Sequence, residues 1–357
     1  MDRNEILNWL HEEDPHRLEE LWRRADEVRR QNVGDEVHLR GLVEFSNHCA
    51  RLCGYCGLRA DNRKIQRYRM SQAEIVLCAE QAVLLGYGTV VLQSGEDWGV
   101  ETQWMAEVIR VIRATTPLAV TLSLGERTEE DFVTWRQAGA DRYLLRFETS
   151  NRDLYDRIHP PLPGKRSDRF ENLRLLKRLG YEAGSGVMIG IPGQTYEDLA
   201  NDIQMFRQLD LDMIGVGPYL PHPATPLGAA HAELSAQPGQ QAPNTEGMTY
   251  KVIALTRLTC PKANIPSTTA LATLNLHQGR ELGLSRGANI VMPNLTPVAY
   301  RAMYEIYPSK ACIYETADEC HGCMRQRIHS IGRKVGTGRG DSPNRNRDRE
   351  HGGKEGV

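Results

Sequence analysis

Three cysteines near the start of the chain have a spacing that suits iron–sulfur chemistry. Cys49, Cys53 and Cys56 form the pattern C-x3-C-x2-C. Iron–sulfur clusters are held by cysteine thiolates, normally four. Three thiolates can hold three irons of a cubic 4Fe–4S cluster and leave the fourth iron open for a substrate or cofactor. A zinc site with His48 is the alternative, although adjacent ligands at 48 and 49 make awkward chelation geometry.

A second cysteine triplet lies near the other end of the chain. Cys312, Cys320 and Cys323 form the pattern C-x7-C-x2-C. Tight triplets in a long chain without a secretory signal indicate metal or iron–sulfur ligands rather than disulfides. A zinc site that includes His321 and a site that binds nothing are the alternatives. The two remaining cysteines, Cys78 and Cys260, are expected to be structural.

The overall composition narrows the class of protein. The 357 residues are 40% hydrophobic and 25% charged, with a net charge of −2, so we expect a buried core and no nucleic acid or anionic membrane as partner. No apolar run reaches the roughly 18–20 residues of a membrane span. The N-terminus lacks the basic start and apolar core of a secretory signal. A cytoplasmic location is therefore expected.

Strand and helix patterns alternate along most of the chain. The first strand is predicted over 37–45, and Ser71 with Glu74 forms a capping box that opens the next helix. The fourth strand is predicted over 142–148, and the seventh and eighth over 263–270 and 288–294. Eight strand–helix units predict a parallel (β/α)8 barrel, with an open doubly wound sheet as the alternative.

Three regions are expected from this pattern. Residues 1–34 form a helical extension, and residues 35–332 form the barrel, including a C-terminal cysteine segment at 308–325. Residues 333–357 have almost no apolar side chains and are expected to be a disordered tail.

The barrel prediction also places the active site, because barrel active sites lie at the C-terminal ends of the strands. The first triplet directly follows strand one. Polar or glycine-rich clusters end the other strands and are expected to converge on the same mouth: Gln93, Ser94, Gly95 and Glu96; Ser123; Arg146 and Glu148; 190–194; Thr268 and Thr269; and 292–294.

The first triplet and its position resemble the radical S-adenosylmethionine (SAM) superfamily, and Tyr55 before the last cysteine strengthens the match. In that superfamily the amino and carboxylate groups of SAM bind the open iron. The reduced cluster then gives one electron to the sulfonium, and a 5′-deoxyadenosyl radical forms. The resemblance implies that residues 190–195 lie on the adenine side, and it implies SAM contacts at Tyr55, Gln93, Ser94, Gly95, Glu96, Thr121, Ser123, Glu148 and Arg169.

Without the resemblance, these residues also have ordinary structural roles. The stretch "LQSGED" is consistent with a simple turn, and Glu148 and Arg169 with surface charges. Thr195 and Asp198 could cap the following helix, which does not conflict with a role beside adenine.

Further stretches resemble one group in particular. They include "EFSNHCARLCGYCGLRADN", "TLSLGE", "GIPGQT", "GVGPYLPHPATPL", "ANIVMPNLTP" and "YEIYPSKAC", and the match runs from about Val33 to Gly336. They are similar to the HydE family of FeFe-hydrogenase maturases, relatives of biotin synthase and methylornithine synthase.

That resemblance implies a closed barrel with an internal cavity and a small iron complex carrying CO, cyanide and cysteine as substrate. It also implies an electron donor such as flavodoxin or ferredoxin, and other hydrogenase maturation proteins as partners. Candidates for holding the anionic substrate are Arg146, Thr268, Thr269, Met292, Tyr304 and Tyr307.

Two features leave alternatives open. The second triplet resembles an accessory site for a 2Fe–2S or 4Fe–4S cluster that catalysis does not require. Phe147 stands where some relatives carry histidine, so no proton-transfer role is implied there. An enzyme similar to biotin synthase or methylornithine synthase, acting on an amino acid or a sulfur-containing small molecule, is the alternative function.

Overall fold

A computed structural model describes residues 1–164, 167–229 and 239–344 of the chain. Two helices precede an alternation of parallel strands and helices. The strands are β1 (Glu36–Ser46), β2 (Thr89–Ser94), β3 (Ala119–Ser123), β4 (Arg142–Leu144), β5 (Glu182–Ile189), β6 (Met213–Pro218), β7 (Ile290–Val291) and β8 (Lys334–Val335).

The helices before residue 200 are α1 (Arg3–His11), α2 (Pro15–Val33), α3 (Gln72–Leu84), α4 (Thr102–Thr115), α5 (Glu129–Ala138), α6 (Arg152–Ile158), α7 (Arg169–Arg178) and α8 (Tyr196–Gln208). The others are α9 (Pro226–Ala229), α10 (Glu246–Thr259), α11 (Thr269–Leu274), α12 (Gly279–Ser285), α13 (Val298–Arg301) and α14 (Ala317–Ser330). In the described part of the chain, no helix has both the length and the apolar content that crossing a membrane requires.

The strands form one parallel sheet in chain order. Strands β1 to β6 are neighbours, and β7 pairs with the other side of β1. Segment 263–267 lies between β6 and β7. The Ile214 amide donates to the Asn264 carbonyl at 2.9 Å, and the Asn289 amide donates to the Ile265 carbonyl at 2.9 Å. Backbone hydrogen bonding therefore continues from β6 to β7 through this segment.

Local sequence signals explain where several helices begin. Ser71 and Glu74 form the predicted capping box of α3, and Thr195 with Asp198 forms another on α8. Each box satisfies backbone amides that the first helical turn leaves without partners. Between sheet and helices lies a continuous core, to which Cys78 belongs as a buried residue.

Three predicted strands are shorter than expected. The fourth ends at Leu144 rather than at residue 148, because Glu148 has a φ of 61° and leaves the extended conformation. The prediction of a strand over 263–270 was wrong in its second half. The Thr268 side chain accepts from the Leu271 amide and caps α11, so Thr269 is helical. The eighth predicted strand, over 288–294, is limited to β7 (Ile290–Val291).

The expectation of a disordered tail is wrong for residues 333–344. Strand β8 pairs with the start of β1, and the segment after it packs against the N-terminal ends of the strands. The buried Arg142 guanidinium donates to the Arg339 carbonyl at 3.0 Å and pairs with Asp341, and the Ser342 amide donates to Glu182 at 3.2 Å. Buried charges on the barrel hold this polar segment in place. Residues 345–357 lie outside the described residues.

Candidate functional site

The first cysteine triplet lies on a loop that leaves the C-terminal end of β1 and is fixed by three other parts of the chain. The Ala50 amide donates to the Glu96 carbonyl at 2.9 Å, just after β2. The Gly54 amide donates to the Ile158 carbonyl at 2.7 Å, and the Gly57 amide to the Ile306 carbonyl at 3.0 Å. Each cysteine therefore has a neighbour anchored to a different element.

Polar side chains hold the far end of the same loop. The Arg67 guanidinium donates to the carbonyls of Leu58 at 2.9 Å and Arg59 at 2.8 Å. The Asn62 side-chain amide donates to the Gly57 carbonyl at 2.8 Å. These bonds satisfy carbonyls that the turns leave free and so help to fix the shape of the loop.

Glycine at position 95 is required by a close approach to this loop. A β-carbon on Gly95 would lie 2.3 Å from the His48 carbonyl oxygen and 2.8 Å from the Cys49 Cβ. Any side chain there would push the end of β2 away from the first cluster cysteine. The predicted approach of its carbonyl to an ammonium group stays a prediction.

The electrostatic surroundings of the thiols fit an iron–sulfur cluster. Burial raises the pKa of Cys49, raises that of Cys53 strongly, and raises the pKa of Cys56 to about 12. Thiolates at these positions need a compensating positive charge, which cluster iron supplies.

Among the described residues, no three His, Cys, Asp or Glu side chains are placed to hold one metal ion. A cubic cluster binds its cysteines through different irons, whereas zinc binds its ligands at one point.

A buried network of charges lies beside the cluster loop. The Arg51 side chain, between two of the cysteines, pairs with Glu96 at 2.7 Å and with Glu126 at 3.1 Å. Glu126 also accepts from Arg169 at 2.9 Å. A second Arg169 nitrogen lies 2.6 Å from His159 Nε2. Burial and the Arg169 charge lower the pKa of His159 to about 2, so the imidazole is neutral and accepts this bond.

Sequence reasoning identified Arg169 and Glu96 but not the residues that join them. Arg51 lies inside the cysteine motif, and Glu126 follows the end of β3 by three residues. The position of Glu126 at a strand end was the available signal. Nothing in the sequence pattern pointed to His159.

Two predicted site residues pair with each other on the strand-four connection. Arg146 binds both carboxylate oxygens of Glu148, with nitrogen–oxygen distances of 2.9, 3.1 and 3.0 Å. Its remaining nitrogen donates to the Gly215 carbonyl at 3.0 Å. Arg169 of the charge network donates to the Arg146 carbonyl, and the Glu148 charge contributes to the raised pKa values of Cys56 and Tyr55.

An internal cavity brings together four of the predicted residues. Its lining includes Thr121, Arg146, Thr268 and Met292. The Thr121 hydroxyl is buried and has no hydrogen-bond partner among the described residues. A buried hydroxyl without a partner is costly, so this group is available to a polar ligand.

Other predicted residues lie outside the cavity lining. Thr269 begins α11. The Tyr304 hydroxyl accepts from the Gln93 side chain at 3.3 Å, and the Ser94 hydroxyl donates to the Gly95 carbonyl at 2.6 Å. Ser123 ends β3, and Tyr307 is also absent from the lining. Phe147 is buried against Phe170 and Phe206 and has a packing role.

Tyr55 and Ile191, from the segment predicted to lie on the adenine side, belong to one small apolar cluster. Tyr55 packs against the buried part of this cluster, which includes Ile158, Ile191 and Leu227. This cluster is separate from the main core and lies beside the cysteine loop. It offers an apolar surface of the kind that an aromatic base contacts.

The second triplet is less assembled than the first. Cys312 and Cys320 lie close enough to interact, and their interaction lowers the pKa of Cys312 and raises that of Cys320. Cys323 is exposed and accepts from Arg327 at 3.4 Å. The His321 Nδ1 lies 3.2 Å from the Tyr87 hydroxyl. The structure thus brings two of the three thiols together.

Comparison with known proteins supplies the family. The Radical SAM superfamily pattern matches residues 43–206. The chain is 45% identical over 318 residues to the [FeFe] hydrogenase maturase subunit HydE of Thermotoga maritima, covering 89% of this chain and 87% of that one. It is 28% identical to 3-methylornithine synthase of Methanosarcina acetivorans, covering 78% and 75%.

The fold agrees with these relatives. A crystal structure of methylornithine synthase superposes with a TM-score of 0.79 at 26% identity and covers 94% of both chains. Membership of the superfamily implies an enzyme that uses a 4Fe–4S cluster and SAM. The chain belongs to the HydE family of radical SAM enzymes.

Proposed function

We propose that this enzyme cleaves SAM at a 4Fe–4S cluster held by Cys49, Cys53 and Cys56 and acts on a small iron complex carrying CO, cyanide and cysteine. The product would serve the diiron subsite of FeFe-hydrogenase. One observation carries the proposal. The Arg146 carbonyl accepts from Arg169 of the charge network beside the cysteine loop, while the Arg146 side chain pairs with Glu148 and lines the internal cavity. The charge network and the cavity therefore meet at Arg146.

The residues around the loop are suited to hold SAM. Cys49, Cys53 and Cys56 would hold a 4Fe–4S cluster with one open iron, and that cluster would supply the electron for reductive cleavage of SAM. Glu148 is proposed to accept from the ribose hydroxyls, and Tyr55 with Ile191 to contact adenine. Arg169 is proposed to bind the methionyl carboxylate, held in place by Glu126 and His159. Gln93, Ser94, Gly95, Glu96 and Ser123 complete the proposed surroundings.

The cavity is suited to a small anionic substrate. The positive charge of Arg146 and the free hydroxyl of Thr121 face the same space, which Thr268 and Met292 also line. Cyanide and carboxylate groups accept hydrogen bonds from both kinds of donor. Tyr304, Tyr307 and Thr269 are proposed to act from the rim.

We also propose that the barrel is closed, that residues 1–34 form a helical extension, and that the barrel region includes the cysteine segment at 308–325. The hydrogen bonds of segment 263–267 to β6 and β7 support closure. The helices α1 and α2 support a helical extension over 1–34. An accessory 2Fe–2S or 4Fe–4S cluster at Cys312, Cys320 and Cys323 is proposed for the segment 308–325. The proposed partners of the enzyme are an electron donor and other hydrogenase maturation proteins.

The test uses the cluster-loaded protein under anaerobic conditions. The protein is incubated with reductant, SAM and the iron–cysteine complex. We expect SAM to be cleaved, giving 5′-deoxyadenosine or its adduct, and the iron complex to be consumed in the same reaction. SAM cleavage without consumption of the complex would contradict the proposed substrate. No SAM cleavage at all would contradict the proposed chemistry.

The second candidate is a methylornithine synthase-like reaction on an amino acid. The superposition with the methylornithine synthase structure favours it, and Arg146 could equally bind an amino-acid carboxylate. Incubation with a panel of free amino acids in place of the iron complex separates the two. Turnover of an amino acid with no turnover of the complex would favour the second candidate.

A further inference from the structure

The loop that follows the first cysteine triplet carries an excess of positive charge. We define the basic loop as residues 59–69, with the sequence RADNRKIQRYR. It contains five arginine or lysine side chains and one acidic one, Asp61, in a chain whose net charge is −2. The charge of this loop is therefore opposite to that of the chain as a whole.

Only part of this charge is neutralised. Arg59 pairs with Asp61 at 3.5 Å, and Arg69 pairs with Asp97 at 2.7 Å. Arg63 and Lys64 are exposed, and in the described ranges neither forms a salt bridge. Arg67 binds backbone carbonyls rather than a carboxylate. Three positive charges consequently remain without an acidic partner on this surface.

Hydrogen bonds connect the basic loop to the loop that carries the first cysteine triplet. Asn62 donates to the carbonyl of Gly57, the residue after Cys56, and the Ala60 amide donates to the Arg51 carbonyl at 2.9 Å. Arg63 and Lys64 directly follow Asn62. A protein bound to these two side chains would thus sit against the shell of residues that encloses the cysteines.

An apolar groove adjoins the basic loop at Arg69. The groove has a volume of about 300 Å³, and its lining is mostly apolar, with one basic and one acidic side chain: Phe45, Met70, Gly99, Val100 and Trp104, together with Arg69 and Glu101. A charged rim around an apolar centre is typical of protein–protein interfaces. The basic loop and this groove form one continuous surface.

We propose that this surface docks an acidic one-electron carrier protein that reduces the cluster. The inference rests on the proposed function, because each SAM cleavage consumes one electron. The carrier loses that electron and the cluster gains it, with no bond made or broken between the two proteins. Complementary charge speeds such an encounter through long-range attraction. The position beside the cysteine loop favours an electron carrier over other acidic partners.

The experiment measures 5′-deoxyadenosine formation with two reductants, dithionite and a limiting concentration of reduced flavodoxin. The variant is Arg63→Glu with Lys64→Glu. We expect its flavodoxin-driven rate to fall about tenfold or more, while the dithionite-driven rate stays unchanged. Added salt should slow the flavodoxin-driven reaction of the natural protein and have little effect on the variant.

The matched control is Arg23→Glu with Arg30→Glu, which makes the same change of charge on α2, the helix that leads to the opposite end of β1. An equal loss of flavodoxin-driven rate in this control, or no loss in the loop variant, would overturn the proposal. If the double variant loses its cluster, Lys64→Gln replaces it, and an unchanged flavodoxin-driven rate there would also overturn the proposal. Failure of the natural protein to cleave SAM with dithionite would instead contradict the proposed function, and the docking inference with it.

Discussion

The two cysteine triplets have similar spacing but different surroundings. The first triplet lies on a loop that backbone and side-chain hydrogen bonds fix at Ala50, Gly54, Gly57 and Leu58. In the second, Cys312 and Cys320 meet while Cys323 is exposed. The two triplets therefore differ in how many contacts hold their loops and in how far their thiols are enclosed.

This difference indicates which site has a fixed function. A site that must present an open iron in a defined direction needs preorganised ligands and neighbours. The network of Arg51, Glu96, Glu126 and Arg169 supplies such neighbours around the first triplet. Around the second triplet, His321 contacts the Tyr87 hydroxyl. Arg327 donates to the exposed Cys323 thiol and pairs with Glu281.

The largest expected effect is the difference in SAM cleavage between two variants, each of which lacks one cysteine of one triplet. Cys53→Ala should reduce SAM cleavage to background, because the cluster loses a ligand that no neighbour replaces. Cys320→Ala should leave the rate within about twofold, a change in barrier below 0.5 kcal/mol. The measurement is 5′-deoxyadenosine formation with dithionite. Equal loss in both variants would show that the two sites are not independent.

The next effect concerns the charges beside the first triplet. Glu126→Gln removes the carboxylate that Arg51 and Arg169 share, leaving two buried guanidinium groups partly unpaired. We expect SAM to bind about 10- to 100-fold more weakly, a loss of about 1.4–2.8 kcal/mol. The measurement is SAM affinity of the cluster-loaded protein.

A matched variant tests whether this effect is specific to the network. Glu171→Gln also removes a carboxylate between two arginines, but on the exposed face of α7. It should change SAM affinity little, because exposed ion pairs contribute little. SAM affinities that are the same in both variants would contradict a positioning role for Glu126.

A smaller effect, on the free energy of unfolding, is expected from removing hydrogen bonds that hold the loop of the first triplet. Arg67→Met removes the donors to the Leu58 and Arg59 carbonyls and should lower the free energy of unfolding by about 1–3 kcal/mol. Arg63→Met, on the exposed part of the same loop, should change it by no more than about 0.5 kcal/mol. Chemical denaturation of the metal-free proteins measures both. Equal stability would contradict the view that the loop is fixed without metal.

The smallest expected effect is a pH dependence of stability that originates at His159. Its pKa is lowered from 6.5 to about 2 in the folded protein, so between these values the unfolded chain binds a proton that the folded chain does not. Stability from this group is full above pH 6.5 and falls as the pH decreases, by at most about 1.4 kcal/mol per pH unit.

His159→Gln should remove that part of the slope. The buried Asp202, with its pKa raised to about 7, contributes a slope of opposite sign, but it is present in both proteins and cancels in the difference. Unfolding free energies of the two proteins at pH 7.0 and 5.5 give the result. Identical slopes would mean that the His159 imidazole is not held neutral.

The sequence predicted the parts of this arrangement that depend on local pattern. The first triplet follows a strand, and the capping boxes at Ser71 and Thr195 form. Each of these depends on residues close together in the chain or on the rule that strand ends share one edge.

The sequence could not supply contacts between distant residues. Glu126 joins Arg51 to Arg169 across 75 and 43 positions, and no periodicity encodes that choice. The ordered segment 333–344 was missed for the same reason, since its partners Arg142 and Glu182 belong to strands of the barrel. Thr268 was predicted as a strand residue because β-branched residues favour strands, yet its hydroxyl caps a helix.

Electron paramagnetic resonance of the reduced, cluster-loaded protein, recorded with and without SAM, tests the central claim most directly. The Cys312, Cys320 and Cys323 positions are replaced by alanine, so that only the first triplet can contribute a signal. We predict a 4Fe–4S signal whose g values change when SAM is added, because Cys49, Cys53 and Cys56 leave one iron open for it. A signal that SAM does not alter, or no signal in this variant, would contradict the assignment of the first triplet as the SAM-cleaving site.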